Sequence, residues 1–217
     1  MKLRILLAMA MWSATMLTAT GQAQVSLGLK GGWNFASLNG VSSISSGTKN
    51  RSGYNVGAYA MIKLTKIAIQ PEVLYSQQGV TYSYSGSDYG SEINYVNVPV
   101  LLKFYLVEGL NFQAGPQVGF VTKATGSLRD LTTGAITTGQ DVKPYLNPID
   151  FSFAVGAGFD LPFGLNFTAR YNIGISDINK YTNGDIPGFQ ATWMGTSAAK
   201  NQVFQFSIGY RLFKFGS

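Results

Sequence analysis

A chain of 217 residues suits one packed domain or one closed barrel, yet charged side chains make up only 12% of it, about half the share of a water-soluble domain. Its formal charge of +6 is scattered, with Lys49 and Arg51 the only close loop pair, and this excludes the clustered basic stripe that nucleic-acid binding needs. The lack of histidine and cysteine excludes a disulfide framework and thiolate chemistry, and it argues against most hydrolase mechanisms.

Residues 1–23 read as a secretory signal peptide: Lys2 and Arg4 are followed by an apolar run from Ile5 to about Leu17, then by Gly21-Gln22-Ala23 as a cleavage site before Gln24. The run is interrupted by Ser13 and Thr15 and falls short of the roughly 20 residues a spanning helix needs. Losing Lys2 and Arg4 takes the formal charge from +6 to +4. Residues 24–217 are predicted to form a single domain.

That domain alternates with period two almost throughout, the signature of strands with two unlike faces. From Val25, the residues Leu27, Leu29, Trp33 and Phe35 share a face opposite Ser26, Lys30 and Asn34. Gly53 to Leu64 groups Tyr54, Val56, Ala58, Ala60 and Ile62. Ile67 to about Gly79 sets Ile69, Val73 and Tyr75 outward, with a phase muddled by Pro71 and room there for a bulge. Asn94 to Leu106 aligns Val96, Val98, Val100, Leu102 and Phe104 against Asn97, Leu101 and Lys103, with broken pairing expected at Pro99. Leu110 to Phe120 sets Phe112, Ala114 and Val118 against Gln113 and Gln117. Phe151 to Leu161, Leu165 to Ile173 and Phe204 to Leu212 repeat the pattern, which makes eight strands.

Connections alternate in length. Tight turns at Thr65-Lys66, Glu108-Gly109 and Pro162-Gly164 interleave with long polar loops around Leu38 to Ser52, Val80 to Ser91, Thr125 to Pro148 and Ser176 to Lys200. Short turns then face one side and long loops the other, as in outer-membrane barrels. A soluble barrel would show the same alternation with its greasy face inside, but a narrow eight-stranded interior has little room for Phe, Tyr, Leu and Ile. Bulky residues therefore face lipid and Gly, Ser, Asn and Gln line the centre. The predicted fold is all-β: an eight-stranded antiparallel transmembrane β-barrel with short periplasmic turns and long extracellular loops.

The stretches GLKGGWNFA from Gly28, QPEVLYSQQG from Gln70, YVNVPVLLKFY from Tyr95, FQAGPQVGF from Phe112, FAVGAGFDL from Phe153 and RYNIGISDI from Arg170 make the mature chain resemble the small outer-membrane β-barrel family, the porin-family or PorT-like proteins of Bacteroidota. Each motif is weak alone; their order and spacing carry the resemblance, which implies the same eight-stranded barrel. One departure is at the carboxyl end, where such barrels often finish on an aromatic residue read by the assembly machinery. Here the outward series stops at Leu212, and Phe213 and Phe215 fall out of phase.

Glu72, Lys103, Asp160, Arg170 and Arg211 are the charges the pleat sends into the lumen. They form either a polar path or a packed interior of ion pairs, because charges withdrawn from water must be paired. Counting from the short turns puts Glu72, Lys103 and Arg170 at similar heights, so Glu72 is expected to pair with one of those two cations. Tyr82, Tyr84, Tyr89 and Tyr95 mark a hairpin with an aromatic girdle at its base, or else a contact surface for sugar or a partner. GAGFD from Gly156 is not a phosphate loop, since no helix follows it. No cofactor, metal site or catalytic group is expected; no Ser and Lys stand in a setting that suggests a nucleophile and its base. The expected partners are outer-membrane lipid and lipopolysaccharide, the assembly machinery and a loop partner that the sequence does not name. The reading is a non-enzymatic structural or interaction protein, with a narrow channel or a part of a transport or secretion assembly as the alternative, and a soluble periplasmic ligand-binding barrel as the second.

Overall fold

The computed structural model describes residues 23–39, 48–84, 87–130, 132–180, 189–191 and 199–216. Residues 1–22, where the leader is expected, lie outside the described residues, as do parts of all four long loops. The strands are β1 (Gln24–Asn39), β2 (Thr48–Leu64), β3 (Ile67–Tyr84), β4 (Ser87–Tyr105), β5 (Leu110–Asp130), β6 (Ile136–Asp141), β7 (Ile149–Asp160), β8 (Leu165–Gly174), β9 (Phe189–Ala191) and β10 (Lys200–Phe215). Leaving aside β6 and β9, each strand pairs antiparallel with the next, and the β1–β10 ladder closes the ring. The result is a closed antiparallel barrel of eight strands. Among the described residues no helix is long and apolar enough to cross a membrane.

Exposure settles which face is which. Leu102 and Phe112 are each 56% exposed, whereas their chain neighbours Lys103 and Gln113 are 1% and 2% exposed. The bulky apolar face is therefore the outside of the wall, and the polar face is the core. In the second and third tight turns Gly109 and Gly164 hold a left-handed backbone, at φ 83° and 102°.

The interior is bulkier than the small lining expected from the sequence. Tyr59, Tyr95, Tyr105, Leu74 and Leu101 are all buried in it. They fit because glycines on neighbouring strands leave room: a Cβ on Gly28 would stand 2.5 Å from the Tyr59 ring, one on Gly119 3.2 Å from Tyr95, and one on Gly156 2.7 Å from Cγ of Arg170. Tyr95 is thus not part of an outward girdle; at 1% exposure it faces the lumen. The side chains of Tyr82, Tyr84 and Tyr89 lie outside the described residues.

The wall's irregularities differ from expectation. Pro71 does not disturb the phase: Gln70, Glu72, Leu74 and Ser76 all point inward, and pairing on both sides of Pro71 keeps one register. Pro99 likewise interrupts no register. The shifts fall instead at Leu27/Gly28, Asn50/Asn55 and Asn94/Tyr95. The first is consequential, because Gly28 pairs with Arg211 and Leu27 with Phe213, leaving Leu212 as the extra residue. That bulge brings Phe213 and Phe215 back onto the outer face, where their rings stack at 6.4 Å.

All four expected long loops are partly strand. β2 begins at Thr48, the β3–β4 hairpin is paired as far as Tyr84 and Ser87, β5 continues past Thr125 to pair with β6, and β9 pairs with the end of β5. Beyond the lipid both faces of a ladder meet water, so the apolar alternation that marks a strand in sequence is lost while Thr, Ser and Tyr still favour extended backbone. Below these, Asn147 Nδ2 donates to the carbonyls of Asp177 (2.8 Å) and Asn179 (3.0 Å), and Val142, Leu146, Ile178 and Ala199 are buried.

Candidate functional site

The period-two pattern that sends apolar groups outward sends the polar ones into a lumen too narrow for water to solvate them, so they must satisfy one another. The central feature is Glu72 on β3. Its Oε1 accepts from Lys30 Nζ on β1 (2.8 Å) and from Gln70 Nε2 (2.7 Å), and its Oε2 from Arg170 Nη2 on β8 (2.8 Å). Lys30, Glu72 and Arg170 are all at most 2% exposed. In the ring order β3 and β8 stand opposite each other, so the Arg170–Glu72 pair is a bar across the lumen.

A second cluster lies toward the short turns. Lys103 Nζ pairs with Asp160 Oδ2 at 3.0 Å and also donates to Gln70 Oε1 at 3.3 Å, so Gln70 joins the two clusters. Tyr105 donates its hydroxyl to Asp160 Oδ2 (2.5 Å), and Lys63 Nζ sits 3.7 Å from the centre of the Tyr105 ring.

Of the five charges singled out from the sequence, the structure brings Glu72 to Arg170 and Lys103 to Asp160. Glu72 takes one of the two cations expected for it, while Lys103 goes to the other carboxylate. Arg211 stands apart at the short-turn rim, donating to the Pro162 carbonyl at 2.9 Å. Lys30 is the member sequence reasoning missed, although its place on the polar face of β1 was legible.

A recess of about 20 Å³ lies among Tyr59, Met61, Gln70, Lys103, Asp160 and Arg211, and one of about 10 Å³ lies toward the long loops. Each holds about one water molecule. Among the described residues no three His, Cys, Asp or Glu side chains gather to hold a metal.

Above the wall Asp130 stands at the far end of β5. Backbone N–H donation from Thr133 and Thr132 holds its carboxyl below the usual range.

A closed wall with a lipid-facing exterior and a self-paired polar core defines an integral membrane β-barrel. Residues 20–180 match the family model described as the outer membrane protein beta-barrel domain, and the chain belongs to that family. It is therefore a protein of the bacterial outer membrane. Among solved structures, Neisserial surface protein A is similar in fold at 12% identity and a TM-score of 0.51, covering 87% of this chain and 99% of that one. Looser likenesses are Ail, the attachment invasion locus protein of Yersinia pestis, in complex with the heparin analogue sucrose octasulfate (14% identity, TM-score 0.47, 89% of this chain and all of that one), and OprG of Pseudomonas aeruginosa (13%, 0.43, 90% and 96%). No curated protein matches the sequence.

Proposed function

We propose that this protein is a closed, non-conducting barrel that serves the outer membrane as a non-enzymatic structural or interaction protein, presenting its long-loop end to partners. The observation that carries this reading is the Arg170–Glu72–Lys30 bar, buried across the lumen between recesses of about 20 and 10 Å³. A hydrated ion passing it would have to separate buried ion pairs, which costs several kcal/mol per unpaired charge. Planar-bilayer recording of the refolded protein tests this. No discrete conductance steps are expected; reproducible steps would return the narrow-channel reading, including a role in a transport or secretion assembly.

In this reading residues 1–23 are a leader removed on export, the short turns face the periplasm, and the long loops meet lipopolysaccharide or a partner molecule. The start of β1 at Gln24 supports the leader boundary. N-terminal sequencing of protein from outer-membrane fractions should begin at Gln24. Kinship with the PorT-like barrels of Bacteroidota, and delivery by the assembly machinery through the outward Phe213 and Phe215, belong to the same proposal. A truncation removing Phe213 to Ser217 is expected to lower the amount recovered in the outer membrane.

A further inference from the structure

The recess nearer the long loops has a composition unlike the rest of the core. Six of the eight strands contribute to it, and its polar lining is made of amides and one hydroxyl, from Gln78, Gln117, Ser152, Asn172, Asn201 and one further Asn, together with a single charged group, Asp150. None of its lining residues is cationic. Asp150 is 6% exposed, and among the described residues it has no ion-pair partner, in contrast to Glu72 and Asp160. Its carboxylate accepts from the neutral Ser176 Oγ at 2.6 Å, and the neighbouring Asn201 amide donates its nitrogen to Gln78 Oε1. The serine bond satisfies a lone pair and leaves the charge uncompensated.

A second observation points to what compensates it. Asn172, 4% exposed, lines the same recess with its Oδ1 buried and without a hydrogen-bond donor. The amide nitrogen of Gln117 is committed within the lining, donating to Ser152 Oγ at 3.1 Å. A carboxylate and a starved carbonyl oxygen facing a space of about 10 Å³ ask for a positively charged acceptor of oxygen ligands no larger than a water molecule.

We propose that Asp150, Asn172 and the surrounding amide oxygens form a binding site for a hard metal cation, Ca²⁺ by preference. Ca²⁺ takes amide carbonyls and a carboxylate in irregular geometry, whereas Mg²⁺ demands an octahedron and keeps several of its waters, for which this recess has no room. With one carboxylate the site is weak, with a dissociation constant on the order of 10⁻⁴ to 10⁻³ M, suited to the outside of a cell. The cation fastens β7, β8 and the segment around Ser176 to one another at the long-loop end.

Terbium luminescence of the refolded full-length mature protein in detergent tests the site, since Tyr95, packed beside Gly119 of the same recess, can sensitise a bound lanthanide. Saturable Tb³⁺ emission is expected, displaced by CaCl₂ at millimolar or lower concentration but not by NaCl of equal ionic strength. Asp150→Asn should weaken binding at least about tenfold, and Asn172→Leu severalfold, whereas Asp130→Asn and Asp141→Asn on the exposed β5–β6 hairpin should leave it unchanged. Emission that persists in a folded Asp150→Asn protein, that never saturates, or that NaCl removes equally well overturns the proposal. Should Asp150→Asn fail to fold, undiminished binding by Asn172→Leu overturns it in the same way.

Discussion

At the scale of single residues, Glu72 has the largest consequence, because it is the one anion between two buried cations. Glu72→Gln keeps the shape and removes the charge, leaving Lys30 and Arg170 without compensation. The expected loss is about 3–5 kcal/mol, the usual cost of breaking a buried pair from one side, and is read as a lower urea midpoint in micelles with an unchanged slope. Replacing all three, as Lys30→Met, Glu72→Leu and Arg170→Met together, should be far milder, within about 1 kcal/mol of the parent or more stable, since the desolvation cost vanishes with the pair. A triple variant as damaged as Glu72→Gln would mean that the bar specifies the fold and does not merely satisfy itself. Asp130 offers a pH test. Its carboxyl lies below the usual range, so what it contributes to the β5–β6 turn is fully present above about pH 4, the unfolded value, and is lost as pH falls through the lower folded value. The amide shifts of Thr132 and Thr133 should follow that titration, and Asp130→Asn should abolish it. These residue roles were only half legible: the pleat announces that Glu72, Lys103, Asp160 and Arg170 point inward, but which cation meets which carboxylate depends on the stagger between strands, which no single strand encodes.

At the scale of elements, the alternation was readable wherever one face meets hydrocarbon and unreadable where neither does. That is why the tight turns and the eight wall strands stood out, while the upper parts of β3, β4 and β5 were taken for loops. The test of the outward face is Leu102→Arg, on the lipid side of β4 three residues from its short-turn end: it should destabilise, by less than the about 2–4 kcal/mol that a cation costs on a barrel's lipid face at the midplane. Bulges were misplaced for a related reason. Proline is visible in sequence and invites a break, yet Pro71 and Pro99 keep their register, while the shift at Leu27/Gly28 leaves Leu212 as an ordinary-looking extra residue. Deleting Leu212 should therefore preserve the phase of everything around it and leave the assembled barrel in normal yield. Deleting Ile208, four residues earlier and within a regular ladder, moves Tyr210 into the lumen and Gly209 onto the lipid face. It should leave little heat-modifiable protein on an unboiled gel.

At the scale of the molecule, one choice determines every other: the greasy face is outside. Leu29, Trp33, Val73, Leu102 and Phe112 are each more than half exposed, and together with their neighbours they form a belt far larger than the few hundred Å² of contiguous apolar surface that a soluble monomer tolerates. The core offers no compensating reason to stay dissolved, because it is held by ion pairs and amides whose net contribution is small beside the burial of that belt. The closed wall adds cooperativity, since no barrel strand has a free edge from which to peel and some ladder of the ring must open before any strand can leave. Two behaviours follow from that pairing of a lipid-dependent exterior with a closed ladder. Diluted below the micelle concentration of its detergent, the refolded mature chain should leave solution as aggregate, whereas in micelles it should migrate on an unboiled gel as a compact band that shifts on heating. A compact monomer sedimenting in plain buffer, with its Phe and Tyr rings shielded from quencher, would reverse the assignment of inside and outside. With that reversal the lumen bar, the Asp150 recess and the membrane location would all have to be reassigned together.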